Sequence, residues 1–208
     1  MSTQLDRRRQ LMDSALEEFA TNGYYATKIA SIVERTGVAQ GTFYWHFKSK
    51  KEIALAILAE GEQALLNVIE SGYRKEVGTV TEMLDSSQSL MTHLFTFAKE
   101  NRDLMKLLFL TGQNAEDEIL DLIQKINQDL EDAFNRNIHR ATDLGMLEKR
   151  DSKDLRGTML TNLVKGMIQR WLFNQNENQD SISSLNPEDI AKEVVYFEFY
   201  GLLGASQD

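Results

Sequence analysis

Read from the N-terminus, apolar residues recur three and four apart over most of the chain, the spacing of helices with one inward face. Leu11, Met12, Ala15, Leu16 and Phe19 mark a first helix over about 6–21, and Asn22-Gly23 stops it. Thr27 fits an N-cap for a short second helix whose inward face is Ile29, Ile32 and Val33. Thr36-Gly37-Val38 breaks that helix, glycine supplying the left-handed conformation that ends it. A third short helix follows over about 39–47. Ser49 then caps a long fourth helix, and Glu52, three residues on, completes a capping box.

Beyond Gly78 the helices become longer and more apolar, with segments predicted near 81–99, 102–112, 115–144, 152–175 and 187–204. Gly145 is a stop, Asp151 or Ser152 a cap, and Pro187 suits a first helical turn. The segment "NQNENQDSISSLN" (174–186) is a polar loop. No repeat or strand pattern interrupts the helices. The expected fold is all-α, with an N-terminal three-helix module joined by a long helix to a larger helical body. Domains are expected at about 5–65 and 75–208.

Composition narrows this reading. The 208 residues include one proline, 12 glycines and no cysteine, at 42% hydrophobic and 26% charged. That is an ordinary globular balance with few helix breakers. Lack of cysteine excludes disulfides, thiolate metal ligation and a cysteine nucleophile. No apolar run reaches the roughly 20 residues of a membrane span, and the first residues lack a signal-peptide core, so a cytoplasmic protein is expected. The net charge of −9 is unevenly spread. Through Lys51 there are 8 Lys and Arg against 5 Asp and Glu; the remainder carries 15 against 27. A mildly basic head on an acidic body suits a chain whose head alone meets a polyanion.

The third helix carries the chemistry. Phe43 and Phe47 are four apart and share the inward face with Val38. Gln40, Gly41, Thr42, Tyr44, Trp45 and His46 are left around the outside. Hydrogen-bonding groups near the start of a short exposed helix suit a DNA major groove, where they meet base edges. Lys48, Lys50 and Lys51, at the positive end of the fourth helix, suit phosphates.

These residues resemble a known family. "ATKIASIVERTGVAQGTFYWHFKSKKEIALAIL" is similar to the helix-turn-helix signature of TetR-family transcriptional regulators, with the motif itself over about 28–47. The matched positions are Thr27, Gly37-Val38, Gly41-Thr42, Tyr44, His46-Phe47 and Lys50. The resemblance implies phosphate contacts from Thr27, Tyr44, His46 and Lys50, with Lys28 a further candidate. It implies base-edge or groove contacts from Gln40, Thr42 and Trp45, and close backbone approach at Gly41. Ala39 departs from the pattern, standing where the family usually has a hydroxyl residue, so no phosphate role is carried to it. Val33 replaces a smaller residue common there.

The body would then serve self-association and effector binding. Met159, Leu160, Leu163, Val164, Met167, Ile168, Trp171 and Leu172 form a wide stripe on the penultimate helix. The last helix is apolar nearly all round through Ile190, Val194, Val195, Phe197, Phe199, Leu202 and Leu203, and needs cover on several sides. The family implies a homodimer through these two helices of each subunit. Met83, Met91, Phe95, Met105, Phe109, Phe134 and Trp171 are candidate effector-lining residues, and each also suits plain core. A small hydrophobic or amphipathic effector is expected. The implied function is a ligand-responsive regulator, a repressor, that binds a near-palindromic operator as a dimer. The alternative from sequence is a helical lipid-binding or scaffold protein without regulatory DNA binding. No enzyme is expected. Neither His93 nor His139 follows a glutamate by three residues, and no phosphate loop, nucleophile elbow or dinucleotide fingerprint occurs, so no catalytic residue, cofactor or metal is assigned.

Overall fold

The computed structural model describes residues 2–72, 76–149, 153–174 and 182–202. Its regular elements are helices: α1 Ser2–Asn22, α2 Ile29–Thr36, α3 Gln40–His46, α4 Lys50–Ser71, α5 Val80–Glu100, α6 Arg102–Phe109, α7 Asp117–Asp143, α8 Lys153–Phe173 and α9 Pro187–Tyr200, with a 3-10 turn at Thr111–Gln113. No strand occurs among the described residues.

The chain divides into two compact units. The first comprises 1–63 and 102–126, the second 64–101 and 127–208. Residues 102–126, which periodicity alone assigns to the body, therefore cluster with the N-terminal helices. The reason is packing: α6 lies on α1, and a Cβ at Gly61 of α4 would stand 2.6 Å from Leu104 Cδ1.

In the first unit, Leu11, Ala15, Phe19, Ile32, Phe43, Phe47, Ile53 and Leu58 form the core, each buried. Gly37 has φ 71° and receives α2 in the left-handed conformation, its N–H donating to Glu34 O at 3.1 Å. Thr27 does not cap α2. Its side chain is buried, and Oγ1 donates to Gly23 O at 2.8 Å and Glu18 O at 3.1 Å. Lys28 takes the N-cap position, and its N–H donates to Ser31 Oγ at 3.3 Å. Ser49 does cap α4, accepting from Glu52 N at 3.1 Å; Glu52 reaches past it to accept from Lys48 N at 2.7 Å.

In the second unit, α9 packs along α5 through buried Ile190, Ala191, Val194 and Val195. Asn186 caps α9, accepting from Asp189 N at 2.9 Å, and Pro187 fills its first turn. Gly157 permits close approach of α7 and α8, since a Cβ there would lie 1.8 Å from Asn135 Oδ1. α9 ends at Tyr200 rather than near 204. Leu203, the Asp151/Ser152 cap and most of the polar 174–186 loop lie outside the described residues.

Candidate nucleic-acid interface

The geometry of α3 follows from one inward stripe. Phe43 and Phe47 are buried, their ring centroids 6.0 Å apart. Val38, before the helix, is half-buried. Everything else on the helix turns outward or to its flanks. Gln40 and Gly41 are exposed, Tyr44 is 52% and Trp45 62% exposed, and Thr42 and His46 are half-buried. Two bulky aromatics this exposed on a seven-residue helix contribute little to its own unit's core. Gly41 is informative in the same direction. Beyond its own helix backbone and chain neighbours, no atom lies within 4 Å of where its Cβ would stand, and its φ is not in the left-handed region. Nothing within the protein requires glycine there, although it weakens a helix by about 0.5–1 kcal/mol against alanine. The missing side chain leaves the outer surface open to a close external approach.

Local contacts set the aromatic rings. Trp45 and His46 meet edge-to-face with centroids 4.6 Å apart, and Tyr44 stands edge-on to Phe43 at 5.5 Å. Burial first, and then the Arg8 guanidinium, lower the His46 pKa from its usual value, favouring the neutral ring. Arg8 is itself held over the Phe47 ring at 5.2 Å and paired with Glu60 at 2.9 Å. Ala39 occupies the N-cap of α3 with no side-chain cap, leaving only the backbone bond from Thr42 N to Ala39 O at 2.9 Å.

The lysines separate into two groups. Lys28 and Lys48 are exposed. Lys50 is turned inward. Its Nζ donates to Tyr24 O at 2.7 Å and Thr27 O at 2.8 Å, reaches Tyr25 O at 3.4 Å, and lies 4.3 Å over the Tyr24 ring. An ammonium has three protons to give, so its donors are engaged by the loop between α1 and α2. Burial lowers its pKa, and Glu116 partly opposes that. Lys51 pairs with Glu118 at 2.7 Å. Of the three lysines grouped by sequence, Lys48 alone presents its charge outward, because the other two meet acceptors brought in by the fold. Thr27 likewise holds its hydroxyl on internal carbonyls.

Several supporting residues carry no sequence signal of their own. Glu18 is buried and accepts from Arg35 Nε at 2.8 Å and Asn22 Nδ2 at 3.0 Å, while Arg35 also pairs with Glu17. This clamps α2 to α1. Tyr24 is buried and donates to Glu116 Oε1 at 2.6 Å. Burial, then that bond, push its pKa well above the ordinary tyrosine value, so it remains a donor.

Among the effector candidates, Met105 and Phe109 sit on α6 in the first unit, while Met83, Met91, Phe95, Phe134 and Trp171 are in the second; all seven are buried. Phe95 and Trp171 meet edge-to-face at 6.0 Å. Met83 borders a cavity of about 50 Å³ with Leu90, Ser86 and Asn137. A larger groove, about 330 Å³, opens elsewhere in this unit, between Leu147, Met159, Leu160, Leu163, Phe197 and Glu198. Met159 is 64% and Phe197 43% exposed on this face. Glu198 keeps solvent access, yet the crowding of its carboxyl raises its pKa to about 7 by desolvation.

His93 is exposed, and His139 Nε2 lies 2.7 Å from Asp154 Oδ1. No group of three metal-ligating side chains forms among the described residues, and no helix among them is long and apolar enough to cross a membrane.

Comparison with known proteins bears on both units. Residues 11–57 match the family model described as bacterial regulatory proteins, tetR family. The chain is 24% identical over 205 residues to the uncharacterized HTH-type transcriptional regulator YdgC of Bacillus subtilis, covering 98% of this chain and 96% of that one. It is 30% identical over 126 residues to the fatty acid metabolism regulator protein of Bacillus subtilis, 61% of each chain. Its fold is similar to the crystal structure of FadR from Bacillus subtilis in complex with stearoyl-CoA, at TM-score 0.76 and 18% identity over 93% of this chain and 98% of that one. With residues 11–57 matched by the family model, and 30% identity over 98 residues to the uncharacterized HTH-type transcriptional regulator TtgW of Pseudomonas putida (44% of this chain, 70% of that one), the chain belongs to the TetR family of bacterial regulatory proteins.

Proposed function

We propose that this protein is a cytoplasmic, ligand-responsive transcriptional regulator, a repressor, that binds a near-palindromic operator as a homodimer. The reader spans about 5–65, with its helix-turn-helix at 28–47, and effector binding and dimerisation belong to residues from 75 onward. The carrying observation is the outer face of α3, where exposed Gln40, Tyr44 and Trp45 flank an unobstructed Gly41. Gln40, Thr42 and Trp45 read base edges, Gly41 admits the DNA backbone, and Tyr44, His46, Lys28 and Lys48 hold phosphates. Thr27 and Lys50 act from behind, fixing the loop from which α2 starts.

Exposed Met159 and Phe197 beside the apolar groove support self-association through α8 and α9. One helix touches few base pairs, and two readers about one helical turn apart supply the rest of the site. A hydrophobic or amphipathic effector is supported by the packed apolar body and by the fatty-acid regulator and stearoyl-CoA complex among the similar proteins. The effector acts only by binding the DNA-incompetent arrangement more tightly. The uninterrupted helix α4, Lys50–Ser71, is the proposed route by which that preference reaches the readers.

In vitro selection of duplexes from a random library, followed by competition with fatty-acyl compounds, tests the proposal. Recovery of a near-palindrome that such a compound releases is expected. Enrichment of no sequence would defeat the regulator reading. Stabilisation by ligand with unchanged operator affinity would defeat the coupling alone.

A further inference from the structure

The reader is held by a residue far from it in sequence. Glu116 immediately precedes α7, and its carbonyl accepts from Ile119 N at 2.9 Å and Leu120 N at 3.1 Å, so its position is that of the first turn of α7. Its carboxylate accepts the Tyr24 hydroxyl at 2.6 Å, across 92 residues of chain. Tyr24 in turn supplies a ring face and a carbonyl to Lys50, which also donates to Thr27 O and reaches Tyr25 O. The next residue, Lys28, is the N-cap of α2, and α2 packs on α3. Lys51 adds a second tie, 2.7 Å to Glu118 and 3.9 Å to Glu116. The start of α7 is thus connected to the first residue of the reader motif through a short run of part-buried contacts, all within the first unit.

We infer that Glu116 is a positioning residue for the DNA reader, setting the α1–α2 loop through Tyr24 and Lys50 so that α3 is presented at the angle the operator needs. This rests on the regulator reading above. Neither Glu116 nor Tyr24 belongs to the DNA-facing surface, so the pair acts on geometry and not on contacts with nucleic acid. α7 is continuous from Asp117 to Asp143. Within the first unit, the position of the start of this helix is handed to the loop by the Tyr24 hydroxyl. A carboxylate suits the role because its bond to a phenol is stronger than a neutral one, while Tyr24 keeps its proton throughout the physiological range.

The test uses the full chain and a duplex recovered by in vitro selection with the wild type. Tyr24→Phe removes one hydroxyl and keeps the ring. Glu116→Ala removes the acceptor. Each is expected to weaken the selected duplex about 3- to 10-fold, and the double variant no more than the stronger single. The salt dependence stays unchanged, because no phosphate contact is lost. Glu116→Gln recovers most of the affinity, since its amide oxygen still accepts from Tyr24. Amide hydrogen exchange, measured without DNA, accelerates at least about tenfold over residues 24–47 in Tyr24→Phe, while the α1 core retains its protection. Wild-type affinity and exchange in Tyr24→Phe and Glu116→Ala overturn the inference, as does exchange accelerated uniformly through α1. If the wild type selects no duplex, the regulator reading fails and the exchange pattern alone decides this one.

Discussion

α3 and α9 are both short helices rich in aromatic residues, and they use them in opposite ways. Phe43 of α3 and Phe47 at its C-cap are buried, while Tyr44 and Trp45 face outward beside polar groups. On α9 the aliphatic residues Ile190, Val194 and Val195 are buried against α5, and the aromatic Tyr196 and Phe197 are left on the surface. Polar edges and a bare glycine suit a polar ligand whose backbone must come close. Apolar rings beside an apolar groove suit another protein surface or an apolar molecule. A helix's exposed face thus reports its partner's chemistry more directly than its composition does.

The comparison can be broken most forcefully at its buried side. Phe43→Ala removes the ring that anchors α3, at a cost of about 3–5 kcal/mol, so the reader should unfold first in thermal denaturation followed by exchange. Outward-facing Trp45→Ala should leave stability within about 0.5 kcal/mol of wild type. Equal losses for both would erase the distinction between the two faces.

Next in size is the pair Lys50 and Lys48. Lys50→Ala leaves the Tyr24 and Thr27 carbonyls without their charged donor and should cost about 1–3 kcal/mol of stability. Lys48→Ala should leave stability unchanged, weaken all DNA sequences alike, and reduce the salt slope by about one. Calorimetry and binding at several salt concentrations check both. Of comparable size on affinity alone, Gln40→Ala or Thr42→Ala should relax base preference at one position per half-site by about 1–3 kcal/mol. Equal loss on random DNA would reassign them to the backbone.

A gain is expected at Ala39. Its backbone, φ −70° and ψ 148°, already has N-cap geometry without a capping side chain. Ala39→Ser should add about 1 kcal/mol of stability, read as a rise in melting temperature. The smallest effect concerns α9. Glu198 has its pKa raised from 4.5 to about 7 in the folded chain. Between those values the folded state binds more protons than the unfolded state, so stability falls as pH rises through that window and is level above it. Glu198→Gln should remove this slope, and melting temperatures at pH 5 and 8 would then differ less than in wild type. An unchanged slope would mean that solvent at the groove already screens the carboxylate.

Periodicity and end signals carried much of this fold. Gly23, Gly37 and Gly145 all take positive φ at helix ends, Ser49 caps α4, and Phe43 and Phe47 face inward. These are local facts: a stripe four residues apart has one face wherever the helix packs, and a turn residue acts on its own backbone. The outward chemistry of α3 was legible by subtraction from that stripe. The partners of long or polar side chains were not. Lys50 resembles Lys48 in sequence, yet its ammonium meets two carbonyls placed by the α1–α2 loop. Thr27 resembles a cap until Gly23 O and Glu18 O are found beside its hydroxyl. Glu18 with Arg35, and Tyr24 with Glu116, are pairings across 17 and 92 residues of chain. The membership of 102–126 in the first unit likewise depends on where Leu104 meets α4. The sequence by itself determined which faces of the helices are apolar and where helices stop, because those follow from 3.6-residue periodicity and backbone preference. The tertiary structure decided which polar groups are tied up and which stay exposed, because hydrogen bonds between distant residues exist only once packing has brought them within 3 Å or so.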